Sequence, residues 1–465
     1  MEGPGTAADA RQDVGIEWEA NGGRRLRYPL PGAFEEPDWQ RLPGYRSVTE
    51  AEWQSARWQR RHTIRSVREL ADVLGPALSS ELAADIVADQ RRYATMSMRI
   101  PPHMINTMRD DDLRRDPVRR YMAPALSERD RQWPSHPHAG RDPLKEASMW
   151  AVEGLVHRYP TKAMVELTST CPQYCGHCTR MDLVGPSTAA TAKYRFRAET
   201  RERFAAALDH LRATPAIRDV VVSGGDIANV SIPRLCDFVQ ALFEIPSIRD
   251  VRLATKALIA LPQHYLQAEV KEAMEMLGAS AAEHGVALAI HTHANHANQL
   301  TPLVASAVGQ FRRWQFRDVR NQAVLLRGVN DTPADLLELC FASLDRAAIT
   351  PYYVYMCDMV PGAEHWRTPL WQAQELQQSI MGALPGYATP RVVCDVPLLG
   401  KRWVHQVDAY DRELGISSWR AAPRPLGDPT GDGDEDLHHF YDPIDTLPQA
   451  GRAWWRRNAT LTADR

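Results

Sequence analysis

Ala163-Met-Val-Glu-Leu-Thr-Ser-Thr-Cys-Pro-Gln-Tyr-Cys-Gly-His-Cys-Thr-Arg180 joins a short apolar strand to a loop that carries three of the chain's seven cysteines. Cys171, Cys175 and Cys178 stand as C-x3-C-x2-C, with Tyr174 just before the second. A [4Fe–4S] cluster normally takes four cysteine thiolates, one on each iron. Three leave one iron open, and an open iron can bind a small molecule and pass it an electron. The alternatives are a zinc knuckle or three unrelated core cysteines. Zinc knuckles pair C-x2-C with a second such pair further on, and none follows here. The run therefore predicts a cluster carried on the loop that leaves a strand.

Outward from this loop the chain alternates short apolar strands with amphipathic helices. The strands are expected at 163–168, 218–223, 250–255, 286–291, 322–327 and 351–356, with helical patterns between them such as 199–212 and 268–284. Six βα units in series imply a parallel sheet with right-handed crossovers. Because the unusual residues all follow strand ends, the α/β fold expected is a partial or full (β/α) barrel with its chemistry at the C-terminal mouth. A further strand is expected at 391–396.

Ahead of the barrel, residues 1–45 are rich in Gly, Pro and Arg and read as a loose leader. Residues 46–158 read as a helical and extended wrap: Ser47-Val-Thr-Glu50 resembles a capping box, helices follow from Val67 and over Ser80–Tyr93, and 100–145 looks extended. The barrel then spans 159–360, a segment holding the seventh strand spans 361–420, and a polar, proline-bearing tail over 421–465 folds back over the body.

The composition, 44% hydrophobic and 24% charged over 465 residues, is that of a soluble globular protein. No apolar run approaches the roughly 18 residues of a membrane span, and the first residues lack a basic start and an apolar core, so no secretory signal is read. An odd number of cysteines, three of them clustered, is no disulfide framework, and a reducing cytoplasm fits. A net charge of −3 argues against nucleic acid as a partner.

Two further features bear on chemistry. Ser223-Gly224-Gly225-Asp226 follows the second strand, and glycines there let a backbone approach a ligand closely; a plain tight turn is the alternative. Lysine is scarce, with only Lys145, Lys162, Lys193, Lys256, Lys271 and Lys401 among 55 basic residues. A lysine that forms a Schiff base belongs in a dry, cofactor-lined site. Only Lys256 and Lys401 lie just beyond expected strands, which leaves two candidates.

The cysteine spacing resembles that of the radical S-adenosylmethionine (SAM) enzymes, and ordered motifs narrow the resemblance to the lysine 2,3-aminomutase family. They are His157-Arg158-Tyr159-Pro160, the cysteine loop ending Cys178-Thr-Arg180, Ser223–Asp226 and His291-Thr-His293-Ala-Asn-His296. Asn321-Gln322-Ala-Val-Leu-Leu-Arg-Gly-Val-Asn330-Asp331, Pro351-Tyr-Tyr-Val-Tyr355-Met-Cys-Asp358 and Asp395-Val-Pro-Leu-Leu-Gly400-Lys401 complete the set. The likeness runs over about residues 48–410.

The resemblance implies a 2,3-aminomutase that uses a [4Fe–4S] cluster, SAM and pyridoxal 5′-phosphate (PLP), takes electrons from a reducing donor and assembles as a homo-oligomer. It assigns the cluster to Cys171, Cys175 and Cys178, and SAM to Ser223, Gly224, Gly225, Asp226, His293 and Gln322. Lys401 becomes the Schiff-base lysine, Tyr355 a catalytic neighbour, and Arg158 and Lys162 the PLP phosphate ligands. Arg180 clamps the substrate carboxylate. Asp358 and Asp395 hold a distal ammonium, as in the lysine enzymes of the family, so a basic amino acid, lysine first and arginine or ornithine behind it, is the expected substrate. The chain departs from the family before Lys401, where Leu398 and Leu399 stand in a shorter segment that the lysine enzymes fill with glycines. It also has Thr332 at one cysteine position of the family's structural zinc and no cysteine after Cys394, so no zinc is expected. Cys236, Cys340, Cys357 and Cys394 read as small apolar core residues. The histidines at 291–296 fit cofactor hydrogen bonding better than a metal. The acidic run 431–439 lacks the glycine and closing glutamate of a calcium loop.

Overall fold

A computed structural model describes residues 16–18, 24–26, 34–420 and 437–462. Strands β1 (Ile16–Trp18) and β2 (Arg24–Leu26) pair as an antiparallel hairpin. Ten strands then form one sheet whose spatial order follows the sequence. They are β3 (Trp150–Val152), β4 (Leu155–Tyr159), β5 (Lys162–Thr168), β6 (Asp219–Gly224), β7 (Asp250–Ala254), β8 (Ala287–Thr292), β9 (Val319–Leu325), β10 (Thr350–Met356), β11 (Arg391–Val396) and β12 (Gly400–Trp403). From β5 to β11 all neighbours are parallel, while β3, β4 and β12 are antiparallel additions at the two edges. Helices Thr200–Ala213, Ile232–Phe243, Ala268–Glu283, Pro302–Arg313, Pro333–Phe341 and Leu370–Met381 join the parallel strands, so six βα units lead to a seventh strand.

Alternation along the strands sorts the side chains. Val165, Val220, Val222, Val251, Leu253, Ile290 and Val354 face the helices and are buried against Leu211, Val239, Leu277 and Phe311. Each such side chain contributes about 1.5–3 kcal/mol of burial. The opposite parity, Met164, Val221, Arg252, His291, Gln322, Tyr353, Tyr355 and Asp395, lines a central cavity. The two edges of the sheet do not share a ladder. They meet through side chains, since the Tyr159 hydroxyl accepts from the Lys401 backbone N–H at 3.0 Å and Arg158 Nη1 reaches Asp395 Oδ1 at 3.2 Å. Gly400 is required at this seam: its φ is +83°, and a Cβ there would collide with the Tyr159 hydroxyl.

Several expectations need correction. The capping box is Thr49 with Glu52, two residues later than read from Ser47, because Val48 is drawn into the core of the extension. Residues 34–45 are not loose: Leu42 and Tyr45 are buried, and the Trp39 ring stacks on Trp53 at 5.1 Å. The stretch 100–145 holds helices Pro102–Asn106 and Pro117–Met122, each opened by a proline at its first position. The strand expected at 322–327 begins at Val319, since its charged neighbours Asp318 and Arg320 pair with each other and allow the apolar alternation to start earlier. Cys236, Cys340, Cys357 and Cys394 are buried.

After β12, strands β13 (Ala409–Asp411), β14 (Ile416–Trp419) and β15 (His438–Tyr441) form a small sheet, followed by helix Gln449–Thr462. This tail is fastened to the body by Asp442, which accepts from Leu370 N–H at 2.8 Å, and by the buried Arg367, which donates to the Tyr441 carbonyl. Most of the acidic run 431–439 lies outside the described residues. Among the described residues no helix is long and apolar enough to cross a membrane.

The turn between β11 and β12 carries a local cost. Leu399 N–H donates to the Val396 carbonyl at 3.1 Å, and Leu398, third in the turn, has φ +65° with its side chain 51% exposed. A turn of this kind wants glycine there, and little packing rewards the leucine. Leu398→Gly is expected to raise stability by about 1 kcal/mol. Denaturant midpoints check it; an unchanged midpoint would mean that packing of the leucine offsets the backbone strain.

Candidate active site

A cavity of about 510 Å³ is lined by all three cysteines and by Asp358, Asp395 and Lys401. The cysteine side is assembled by close backbone packing. Gly225 N–H donates to the Thr168 carbonyl at 2.5 Å and Asp226 N–H to the Thr170 carbonyl at 3.0 Å, so the loop after β6 lies directly against the cysteine loop. Gly224 has φ +107°, and a Cβ on either glycine would strike those carbonyls. The Asp226 carboxylate accepts from Ala228 N–H at 2.9 Å, Thr255 Oγ1 at 2.8 Å, Lys256 N–H at 2.8 Å and Ala257 N–H at 3.1 Å. It ties the loops after β6 and β7 together and is saturated by that task. Lys256 Nζ stands 2.9 Å from Cys175 Sγ, which gives this lysine to the cysteines.

Burial pushes the Cys171 thiol well up and the Cys178 thiol up to about 11. Such thiols keep their protons until a metal displaces them. Among the described residues no three His, Cys, Asp or Glu side chains converge on one ion-sized point. Three cysteine thiols that line one cavity are the donor type an iron–sulfur cluster takes.

Asp395 faces Lys401 across the β11–β12 ladder. Lys401 Nζ lies 3.6 Å from Asp395 Oδ2 and 5.5 Å from the centre of the Tyr355 ring. Burial alone would depress this ammonium, but Tyr355 and Asp395 outweigh it and hold the proton above the usual lysine range. The Tyr355 hydroxyl accepts from the Gln322 amide at 3.0 Å. Asp358 is 7% exposed, its Oδ1 has no hydrogen-bond partner, and burial followed by the charge of Asp395 drives its carboxyl well up.

Arg180 lies between two acids. Its Nε is 2.8 Å from Glu146 Oε2 and 3.2 Å from Glu166 Oε1, and its Nη2 donates to Glu146 Oε1 at 3.1 Å.

No family model matches the chain. Curated relatives do. An L-lysine 2,3-aminomutase from Clostridium subterminale is 33% identical over 353 residues, 76% of this chain and 78% of the relative. One from Fusobacterium nucleatum subsp. nucleatum is 31% identical over 353 residues, 76% of each chain. A glutamate 2,3-aminomutase from Clostridioides difficile is 25% identical over 358 residues, 77% of this chain and 78% of the relative.

The chain belongs to the lysine/glutamate 2,3-aminomutase family. It is an amino-acid 2,3-aminomutase of the radical SAM class, an isomerase.

Within this aminomutase the residues singled out from sequence share the cavity, but several are already engaged. Ser223, Gly224, Gly225 and His293 gather on the cysteine side, where the His293 ring lies 5.7 Å from His177 of the cysteine loop and its Nε2 meets Asn295 Oδ1 at 2.8 Å. Gln322 lines the same cavity and donates to the Tyr355 hydroxyl. Arg158 is buried and bonded to Asp395 and, at 3.0 Å, to the Leu144 carbonyl. Asp395 is thus paired with both Arg158 and Lys401. Lys162 opens β5 and still reaches the cavity, which runs down the inside of the barrel to its level.

Sequence reasoning passed over Glu146, Glu166 and the seam tyrosine Tyr159. Glu166 had a signal: in Ala163–Thr168 it shares the inward parity of Met164, so an acid stands where the barrel interior begins. Glu146 and Tyr159 act through long-range contacts that spacing does not encode.

Proposed function

We propose that this aminomutase moves the α-amino group of a basic amino acid, L-lysine first, to the β carbon, with PLP carried by Lys401. The observation that supports the substrate is Asp358, a buried carboxyl with an unpartnered oxygen in the same cavity as Lys401. A side-chain ammonium would supply the missing cation, whereas a side-chain carboxylate would meet a second negative charge. Arginine and ornithine offer the same kind of charge.

In this reading Cys171, Cys175 and Cys178 hold the cluster, Ser223, Gly224, Gly225 and His293 border SAM, and Asp226 serves by fixing the loop. Cluster and SAM supply one-electron hydrogen abstraction, and PLP supplies covalent activation of the migrating nitrogen. The chain's residues position these groups. Arg158 and Lys162 would face the PLP phosphate, and Arg158 would have to share itself between phosphate and Asp395. Lys401, freed of its proton, would leave Asp395 to join Asp358 around the distal ammonium. Tyr355, held by Gln322, would lie beside the lysine. Arg180 would receive the α-carboxylate in a planar, two-point contact. A reducing donor would feed the cluster, and a homo-oligomer is the expected assembly.

The test is anaerobic reconstitution with iron, sulfide and PLP, followed by dithionite, SAM and a panel of lysine, arginine, ornithine and glutamate, read by mass spectrometry. A β-amino product from one dibasic substrate is expected. Deoxyadenosine with no β-amino acid would retain the radical machinery and remove the substrate assignment.

A further inference from the structure

Arg180 is one cation held by two buried carboxylates. Its Nη2 donates to Glu146 Oε1 at 3.1 Å, and its Nε lies within ion-pair distance of both acids, 2.8 Å from Glu146 Oε2 and 3.2 Å from Glu166 Oε1. Glu166 is 2% exposed and its second oxygen, Oε2, has no hydrogen-bond partner. An amino acid that brings its α-carboxylate to Arg180 would therefore place a third negative group around one positive charge. Unpaired charges in a buried site are costly, and one of the three must be neutralised or leave. Glu166 sits mid-strand on β5 and is closed in by its neighbours, so its carboxyl stays out of water where it stands.

We infer that Glu166 competes with the substrate carboxylate for Arg180 and yields only by taking a proton from solvent, so that binding of the amino acid is coupled to proton uptake at Glu166. The inference rests on the reading of Arg180 as the carboxylate clamp. It makes Glu166 a positioning residue: it steadies the guanidinium in the empty site and sets the pH range in which the clamp accepts an anion.

The surroundings of Glu166 support this behaviour. Facing it are the Arg180 guanidinium and Asp182 from the cysteine loop, Glu146 from the turn ahead of β3, the Trp150 indole on β3 and, over its backbone, Arg203 of the helix after the loop. Burial pushes its carboxyl up to about 8; Arg180 pulls the other way, and Glu146 and Asp182 add to the rise. Below that value Glu166 carries a proton and leaves Arg180 to the substrate. Above it the carboxylate forms and holds the guanidinium, and each further pH unit weakens substrate binding up to tenfold.

The experiment compares the loaded holoenzymes of wild type, Glu166→Gln, Glu166→Asp and Arg180→Gln with L-lysine as the probe. KM and kcat are measured from pH 7 to 9.5, and proton uptake on binding is followed by calorimetry in two buffers. Titration of the substrate and of every other group is common to wild type and Glu166→Gln, so the difference between them isolates Glu166. The wild-type KM is expected to rise about tenfold more per unit above pH 8 than that of Glu166→Gln, with kcat following one profile in both. Glu166→Asp, which keeps the acid, is expected to keep a pH-dependent KM. Above pH 8, where Glu166 is ionised in the empty site, calorimetry should give more proton uptake for wild type than for Glu166→Gln. If Arg180→Gln leaves KM unchanged, the clamp reading fails and the inference falls with it. If Arg180→Gln raises KM while wild type and Glu166→Gln share one pH profile, the clamp stands and the coupling is wrong.

Discussion

Lys401→Ala is expected to abolish the absorbance of bound PLP and to lower turnover on the order of 10³-fold or more, because the other lysines that line the cavity are Lys162 at the start of β5 and Lys256 against Cys175. The structure separates the two lysines that sequence position left open. Lys256 Nζ lies 2.9 Å from Cys175 Sγ. Lys401 lies beside Asp395 and over Tyr355. The ammonium of Lys401 is stabilised by those neighbours, so it would have to give up its proton before it could carry PLP as an imine. Lys256→Ala is the matched control: it is expected to keep the PLP absorbance while disturbing the cluster spectrum. Imine absorbance that survives in Lys401→Ala and vanishes in Lys256→Ala would transfer the role to Lys256.

Much of this molecule could be read before its coordinates. The six βα units were legible because each strand is a short apolar run ended by a residue type that a strand interior does not want. The seventh strand was legible for the same reason. What stayed hidden depends on contacts between distant segments. Nothing near Tyr159 announces that its hydroxyl meets the Lys401 backbone 242 residues later. The helices inside 100–145 were masked by prolines, which read as extended until their place at the first helical position is seen. At the site, residue types identified the chemistry, whereas charge balance did not emerge from them. The resemblance gives Arg158, Arg180 and Asp395 ligand-binding roles, and each is bound to an opposite charge within the protein. Those pairs set what a ligand must displace.

Asp358 is the exception, and Asp358→Asn should separate binding from stability. A buried charge pair that loses one member costs about 2–5 kcal/mol, so KM for L-lysine is expected to rise from about 30-fold to several thousand-fold. Arginine and ornithine should suffer alike, since the contact is to charge. The empty protein should respond in the opposite sense. The Asp358 carboxyl is pushed well above the usual range, by burial first and by Asp395 second. The folded state therefore binds its proton more tightly than the unfolded chain does. Stability from this group is full below the unfolded value near 3.9 and falls as pH rises from there toward the raised folded value. Asparagine has no proton to lose, so the variant should melt at a higher temperature than wild type at pH 7, and the gap should close as pH is lowered toward 4. A higher KM together with a higher melting temperature marks a carboxyl kept for a cationic ligand at the expense of the fold. An unchanged KM would remove the basic amino acid from the reading, whatever happens to the melting temperature.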